Sequence, residues 1–338
     1  MINIDKNAIS RKPSIDVNFF YTNAKSKFKL TLHSDESGFN REIKDQNVHR
    51  PGLALAGFVE LFSYERVQIF GNTEVTYLKN LSDETRLKSL KKIFAFPIPC
   101  IILTDGNQPF PEMVELAKKN HVPLFSSTLL TTKLTYLISD FLDDQFAPRA
   151  SIHGSFVDVY GVGILFIGKS GVGKSEVALD LIERGHRLVG DDVIILTKKG
   201  EGILIGAGTS LVKHFMEIRG LGILDIQQMF GVRAIRHQKR LEVICELEVW
   251  SENSTYTRTG LDETLEKILD VEIPYVKLPI IPGKNITVIS EVIALHYLLK
   301  HNGYDAAEVF KTRLERAIMD KSKENSERGV NYFEHDFE

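Results

Sequence analysis

The stretch Gly168-Lys169-Ser170-Gly171-Val172-Gly173-Lys174-Ser175 constrains this chain more than any other. An apolar run, Ile164-Leu165-Phe166-Ile167, leads into it and reads as a buried strand. Residues 176–184 follow and read as a helix ended by Gly185. Strand, glycine loop and helix together are the setting of a phosphate-binding loop. The glycines let backbone N–H groups turn inward around a phosphate, and the helix N-terminus adds partial positive charge. Lys174 can reach β- and γ-phosphates, and the Ser175 hydroxyl can bind Mg²⁺. A chance match of the fixed positions would not bring these flanks with it. Residues 168–175 are therefore the candidate cradle for nucleotide phosphates.

At 338 residues the chain is too long for one small core and suits two domains. Its 43% hydrophobic and 26% charged residues place it with soluble globular proteins. The net charge is −3, with Lys and Arg scattered among acids, so no basic stripe marks a nucleic-acid partner. Cys100 and Cys245 lie far apart in apolar contexts and read as buried free thiols, which fits a reducing compartment. The N-terminus is polar and lacks a signal-peptide core. No apolar run reaches the ~18 residues that span a membrane. The expected location is the cytoplasm, with no membrane partner.

Residues 1–15 are polar and expected to be loosely ordered. From Val17 to about Asp144, short apolar runs alternate with helical periods. Residues 28–32 and 67–70 read as strands, and 98–103 as a buried strand. Residues 111–120 read as a helix with Pro at its start, 122–125 as extended, and 131–144 as a closing helix. This rhythm predicts a small α/β domain over residues 1–145, of assembly or regulatory role and without a readable ligand. Residues 146–150 break the pattern. A second α/β domain, the one carrying the phosphate loop, is expected over 151–319, with a polar, flexible tail over 320–338.

Asp191-Asp192 stand just before the apolar run Val193-Ile194-Ile195-Leu196. A carboxylate pair there can face Mg²⁺ or act as a base beside a γ-phosphate; the plainer reading is a turn with two solvated acids. His153-Gly154 opens the strand pair before the phosphate loop, and a lone His near a strand is more often structural than catalytic. In Glu217-Ile218-Arg219-Gly220-Leu221-Gly222-Ile223-Leu224-Asp225, two glycines flank a leucine after an acid and a base. Glu217 can reach a metal and Arg219 can clamp phosphate oxygens. Equally, the stretch reads as a glycine turn between a helix and a strand with an exposed ion pair. Arg258, taken alone, reads as a surface charge. Pro279-Ile280-Ile281-Pro282-Gly283-Lys284-Asn285 reads as a rigid connector before a helix starting near Ser290, whose hydroxyl is the candidate N-cap.

Taken in this order, these segments resemble the bacterial HPr kinase/phosphorylase family. The carrying residues are His153-Gly154, the loop 168–175 with Glu176, residues 184–192, residues 217–225, the run Leu247-Glu248-Val249-Trp250 leading to Arg258, and the loop 279–285 followed by Glu291. The resemblance covers nearly all of the second domain. It reaches the first more weakly, through residues 50–57 and 66–71.

The resemblance implies a P-loop kinase domain that uses ATP and Mg²⁺ to phosphorylate a regulatory serine of HPr, the small carrier of the sugar phosphotransferase system. It also implies the reverse path, in which inorganic phosphate removes that group and leaves as pyrophosphate. Such an enzyme regulates carbon metabolism as a cytoplasmic homohexamer tuned by metabolites. Carried over, the family's roles place Gly168, Lys169, Ser170, Gly171, Val172, Gly173, Lys174 and Ser175 on the nucleotide phosphates. Ser175 and Glu217 become Mg²⁺ ligands, and Asp192 the group that takes the serine proton. His153, Lys174 and Arg258 complete the catalytic set. Residues 216–225, with Glu217, Arg219, Gly220 and Gly222, and residues 279–284, with Pro279, Pro282, Gly283 and Lys284, become important for phosphorolysis.

Three departures from the family pattern are visible. Gly190 stands where Ala is usual, a change that should be tolerated. Lys284 replaces an Arg, keeping the charge but losing the bidentate fork, and Ile281 stands where a basic residue is often found. Two rival classes fit less well. A GTPase would carry an Asn-Lys-x-Asp motif, and a eukaryotic-type protein kinase a His-Arg-Asp loop; neither is in the sequence. A catalytically silent nucleotide sensor would not need Asp192, Glu217 and Arg258 together.

Overall fold

The computed structural model describes residues 9–200, 202–209, 213–250, 264–281 and 283–332. The chain divides into two compact units, Ser10–Pro148, and the chain from Arg149 onward together with Ile9. Both are α/β. Arg149–His153 is already a strand of the second unit, so that unit starts before Ser151.

The first unit is built on a sheet with strand order Leu30–Leu32, Leu124–Ser127, Ile101–Leu103, Val67–Phe70, Val48–His49. The last four run parallel, and Leu30–Leu32 is antiparallel to its neighbour. Parallel strands need cover on both faces. Leu55, Leu90, Ile93 and Met113 pack on Phe70 and Leu103 on one side. Phe20, Phe28, Leu134 and Ile138 pack on Ile69 and Ile102 on the other. Two strand expectations shorten here. Phe28 ends the helix Val17–Phe28, which the Asp16 side chain caps, and Lys29 at φ +51° turns the chain into the strand. The strand expected over 98–103 is only Ile101–Leu103, because Pro97 and Pro99 supply no N–H to a ladder. The closing helix is longer than expected, Thr131–Phe146.

The second unit has three layers. Its inner sheet has the order Arg187–Gly190, Ser155–Val159, Val162–Gly168, Val243–Val249, Val271–Ile280, Leu265–Ile268. Val162–Gly168, Val243–Val249 and Val271–Ile280 are parallel. The helices Lys174–Glu183 and Ile286–His301 cover one face through Val177, Leu181, Ile286 and Ala294. An antiparallel sheet of Arg149–His153, Val193–Lys199 and Ile203–Gly208 covers the other, with Phe156 and Leu165 meeting Ile194, Leu196 and Leu204. The helix expected near Ser290 starts earlier, at Ile286. Asn285 is its cap, accepting from the Val288 N–H at 3.1 Å, while buried Ser290 bonds back to the Ile286 carbonyl at 2.9 Å. The segment expected as a flexible tail continues a helix that runs Ala306–Tyr332.

One departure reads differently in three dimensions. A Cβ on Gly190 would lie 2.7 Å from the Cα of Gly208 and 2.9 Å from Ile194 Cδ1. Gly190 therefore fits this chain, and the Ala usual in the family would not fit without a shift, because backbone fills the space.

Candidate active site

The strand Val162–Gly168 delivers its carboxyl end to the glycine loop, and the helix Lys174–Glu183 leaves from it. Gly168 holds φ +138°, and a Cβ there would sit 2.3 Å from the Leu247 carbonyl oxygen of the neighbouring strand. Only glycine fits that turn. Lys174 folds over its own loop, donating to the carbonyls of Gly168 and Lys169 at 3.2 Å each. Its ammonium thus lies against the loop, and Lys174 lines the same cleft.

The two adjacent carboxylates face different worlds. Asp191 is buried, and Ser175 donates to its Oδ1 at 3.1 Å and its Oδ2 at 2.9 Å. Ser155 donates to the same Oδ1 at 2.5 Å. Burial pushes the Asp191 carboxyl above its ordinary range, with the serine hydrogen bonds opposing. Asp192 takes φ +66°, which turns its side chain the other way. That side chain is 75% exposed and stands 3.5 Å from Nδ1 of His153, itself 80% exposed. The Asp192 carbonyl accepts from the Gly154 N–H at 3.0 Å, so the two short turns are stitched together. Sequence reading could not separate Asp191 from Asp192, and nothing in it singled out Ser155.

Residues 217–225 are not a link between a helix and a strand. They lie in a hairpin of Phe215–Ile218 with Gly222–Asp225, turning through Gly220 at φ +87°. The hairpin carries Glu217 and Arg219 to the cleft that Ser170, Lys174, Ser175, Asp191 and Asp192 line. The Arg219 guanidinium lies over Gly171 and donates to Ser170 Oγ at 3.3 Å. Pro279 ends in the strand Val271–Ile280, and Gly283 at φ +85° turns the chain toward exposed Lys284. Pro279, Gly283 and Lys284 do not line the cleft. Arg258 and Pro282 lie outside the described residues.

Ser175 Oγ, Asp191 and Glu217 offer hard oxygen donors at one end of the loop. Among the described residues no cluster of three or more His, Cys, Asp or Glu forms a metal cage. Mg²⁺ is ordinarily held by one or two protein oxygens together with substrate phosphates, so these residues fit it.

The family model for the HPr Serine kinase N terminus matches residues 21–142, and that for the HPr Serine kinase C-terminal domain matches 144–314. The chain belongs to the HPr kinase/phosphorylase family. An HPr kinase/phosphorylase of Chloroherpeton thalassium is 54% identical over 334 residues, covering 97% of this chain and 98% of the relative. That of Prosthecochloris aestuarii is 49% identical over 340 residues and covers both chains fully. The solved Hpr(Ser) kinase/phosphatase from Coxiella burnetii is 34% identical, covering 47% of this chain and 97% of that one, with a TM-score of 0.43. Membership in the HPr kinase/phosphorylase family spans both units, including the first, whose sequence carried the resemblance only weakly.

Proposed function

We propose that this chain transfers the γ-phosphoryl group of ATP to a regulatory serine of HPr, and removes that group with inorganic phosphate. The observation that carries the reading is the split carboxylate pair, Asp191 buried on Ser175 and Asp192 exposed beside His153. In-line phosphoryl transfer asks a protein mainly for positioning, charge neutralisation and a group that orients the nucleophile. Residues 168–175 cradle the phosphates, and Lys174 shifts from its loop carbonyls onto the β- and γ-oxygens. Asp191 fixes the rotamer of Ser175 so that its oxygen faces the metal position, with Glu217 across the cleft. Mg²⁺, when bound, supplies neutralising charge on the phosphate oxygens.

Asp192 accepts the serine O–H proton as the serine oxygen bonds to phosphorus and ADP leaves. His153 orients Asp192. In reverse, inorganic phosphate attacks the phosphoserine phosphorus, the P–O(Ser) bond breaks, and protonated Asp192 returns the proton to the serine oxygen. Pyrophosphate is the product. Arg219 over the loop and Arg258 suit charge on the transferring group. The same reading makes the protein a cytoplasmic homohexamer acting in carbon regulation. No described helix is long and apolar enough to cross a membrane. Full-length similarity to proteins named HPr kinase/phosphorylase supports the substrate.

The test is Asp192→Asn. Phosphoserine formation should fall by at least about a hundredfold, within the range a general base contributes. ATP affinity should persist. Loss of ATP binding in a folded variant would contradict the role given to Asp192.

A further inference from the structure

Ser155 opens the inner-sheet strand Ser155–Val159 and is fully buried. Alternation along that strand puts it on the same face as Val157 and Val159, which belong to one core with Val177, Ala178 and Leu181 of the phosphate-loop helix. Phe156 points the other way, into the core shared with the outer sheet. The Ser155 hydroxyl is thus on the side that the helix Lys174–Glu183 covers, and Ser175 is the second residue of that helix. Asp191 reaches the same side only through a bulge. Leu188 faces the helix, so strict alternation from it would send Asp191 away. Val157 lies opposite Leu188, however, while Phe156 lies opposite Gly190, which makes Val189 an extra residue. A bulge of this kind re-aims the side chains beyond it. Asp191 turns to the helix side, where Ser155 Oγ donates to its Oδ1 at 2.5 Å. Ser175 Oγ lies 3.1 Å from the same Oδ1 and 2.9 Å from Oδ2.

Ser175 has a single O–H proton, and its oxygen turns a lone pair to a cation only while that proton points elsewhere. Asp191 takes the proton, so the orientation of the Asp191 carboxylate sets the orientation of Ser175 Oγ. Held by Ser175 alone, the carboxylate could rotate about its Cβ–Cγ bond, a torsion with broad minima. The Ser155 bond ties down Oδ1 and leaves Oδ2 to Ser175. Ser175, Asp191 and Glu217 line the cleft, whereas Ser155 does not. Any influence of Ser155 on the cleft therefore passes through Asp191.

We propose that Ser155 is a positioning residue for the Mg²⁺ end of the cleft: its buried hydroxyl holds Asp191 in the orientation from which Asp191 aims Ser175. This rests on the reading above that Ser175 faces the metal. The bulge at Val189 and the serine at 155 then form one device, the first turning the carboxylate to the helix and the second locking it there. Removing the Ser155 hydroxyl loosens the metal end and leaves the phosphate loop as it is, because Val162–Gly168 and its neighbour Val243–Val249 anchor that loop independently.

The test is Ser155→Ala in the full chain, with ATP binding measured by calorimetry over a range of Mg²⁺ concentrations. The Mg²⁺ concentration that gives half-maximal ATP binding should rise by about threefold to tenfold, at or below the loss expected for a direct partner of a metal ligand. ATP affinity without Mg²⁺ should move less than about twofold, since backbone N–H groups of the loop hold the phosphates. In an Asp191→Ala background, Ser155→Ala should add no further change to the Mg²⁺ requirement, because the two residues act as one unit. Ser155→Cys, close in size but with only a weak S–H donor, should follow Ser155→Ala, and it replaces that variant if it fails to fold. An unchanged Mg²⁺ requirement overturns the proposal. So does a loss that adds to that of Asp191→Ala, or one that is equal with and without Mg²⁺. A wild-type chain whose ATP affinity does not respond to Mg²⁺ removes the reading of Ser175 beneath it, and the proposal with it.

Discussion

Asp191 and Asp192 are neighbours in sequence with opposite surroundings. One is buried and accepts from two serine hydroxyls, and the other projects from a left-handed backbone turn beside His153. Paired acids pushed apart by their environments can serve two roles at once. Asp191→Asn should therefore spare the serine-facing group but weaken Mg²⁺-dependent ATP binding by about 10–100-fold, as loss of an outer partner of a metal ligand does. Calorimetric titration with and without Mg²⁺ would show it; an unchanged affinity would separate Asp191 from the metal. At this scale the strand, glycine loop and helix around residues 168–175 were legible, because the apolar run, the glycines and the helical period stand out in the sequence. The division between the two aspartates was hidden, because a backbone angle at Asp192 decides it.

At the scale of elements, packing decides what motifs leave open. Ser290 looked like a cap because its hydroxyl precedes a helical run, yet Asn285 stands at the true start, next to the loop. Strand Arg187–Gly190 meets Ile203–Gly208 so closely that Gly190 and Gly208 touch through their backbones. Gly190→Ala should cost about 1–3 kcal/mol through overpacking. A lowered thermal midpoint would support this, and an unchanged one would show that the strands can part.

Arg184, at the end of helix Lys174–Glu183, donates through Nε and Nη2 to Glu291 of helix Ile286–His301, and this tie carries a pH signature. The hydrogen bonds from Arg184 hold the Glu291 carboxyl below its ordinary value of 4.5, with burial opposing and His186 assisting. A depressed carboxyl stabilises the fold fully above its unfolded value and stops doing so as pH falls through its folded value. Acidification from neutral to below 4.5 should thus lower the melting temperature more in the wild type than in Glu291→Gln. Parallel losses in both proteins would mean the carboxylate adds nothing.

For the whole molecule, alternating apolar runs and helical periods were enough to read two α/β domains. They did not show that the second domain is layered, with helices on one face of its inner sheet and an antiparallel sheet on the other. Arg149–His153 and Val193–Lys199 are far apart in sequence, and only their pairing makes them neighbours. That pairing brings His153 opposite Val193, and so beside Asp192. The same non-local logic brings hairpin residues Glu217 and Arg219 over the loop.

A site built this way should run in both directions, and one experiment reads both. HPr is incubated with the protein and Mg-ATP, phosphoserine is followed by mass spectrometry, and inorganic phosphate is then added while pyrophosphate is assayed. The account predicts phosphoserine that forms and then disappears as pyrophosphate is released. ATP binding with no phosphoserine on HPr would contradict it.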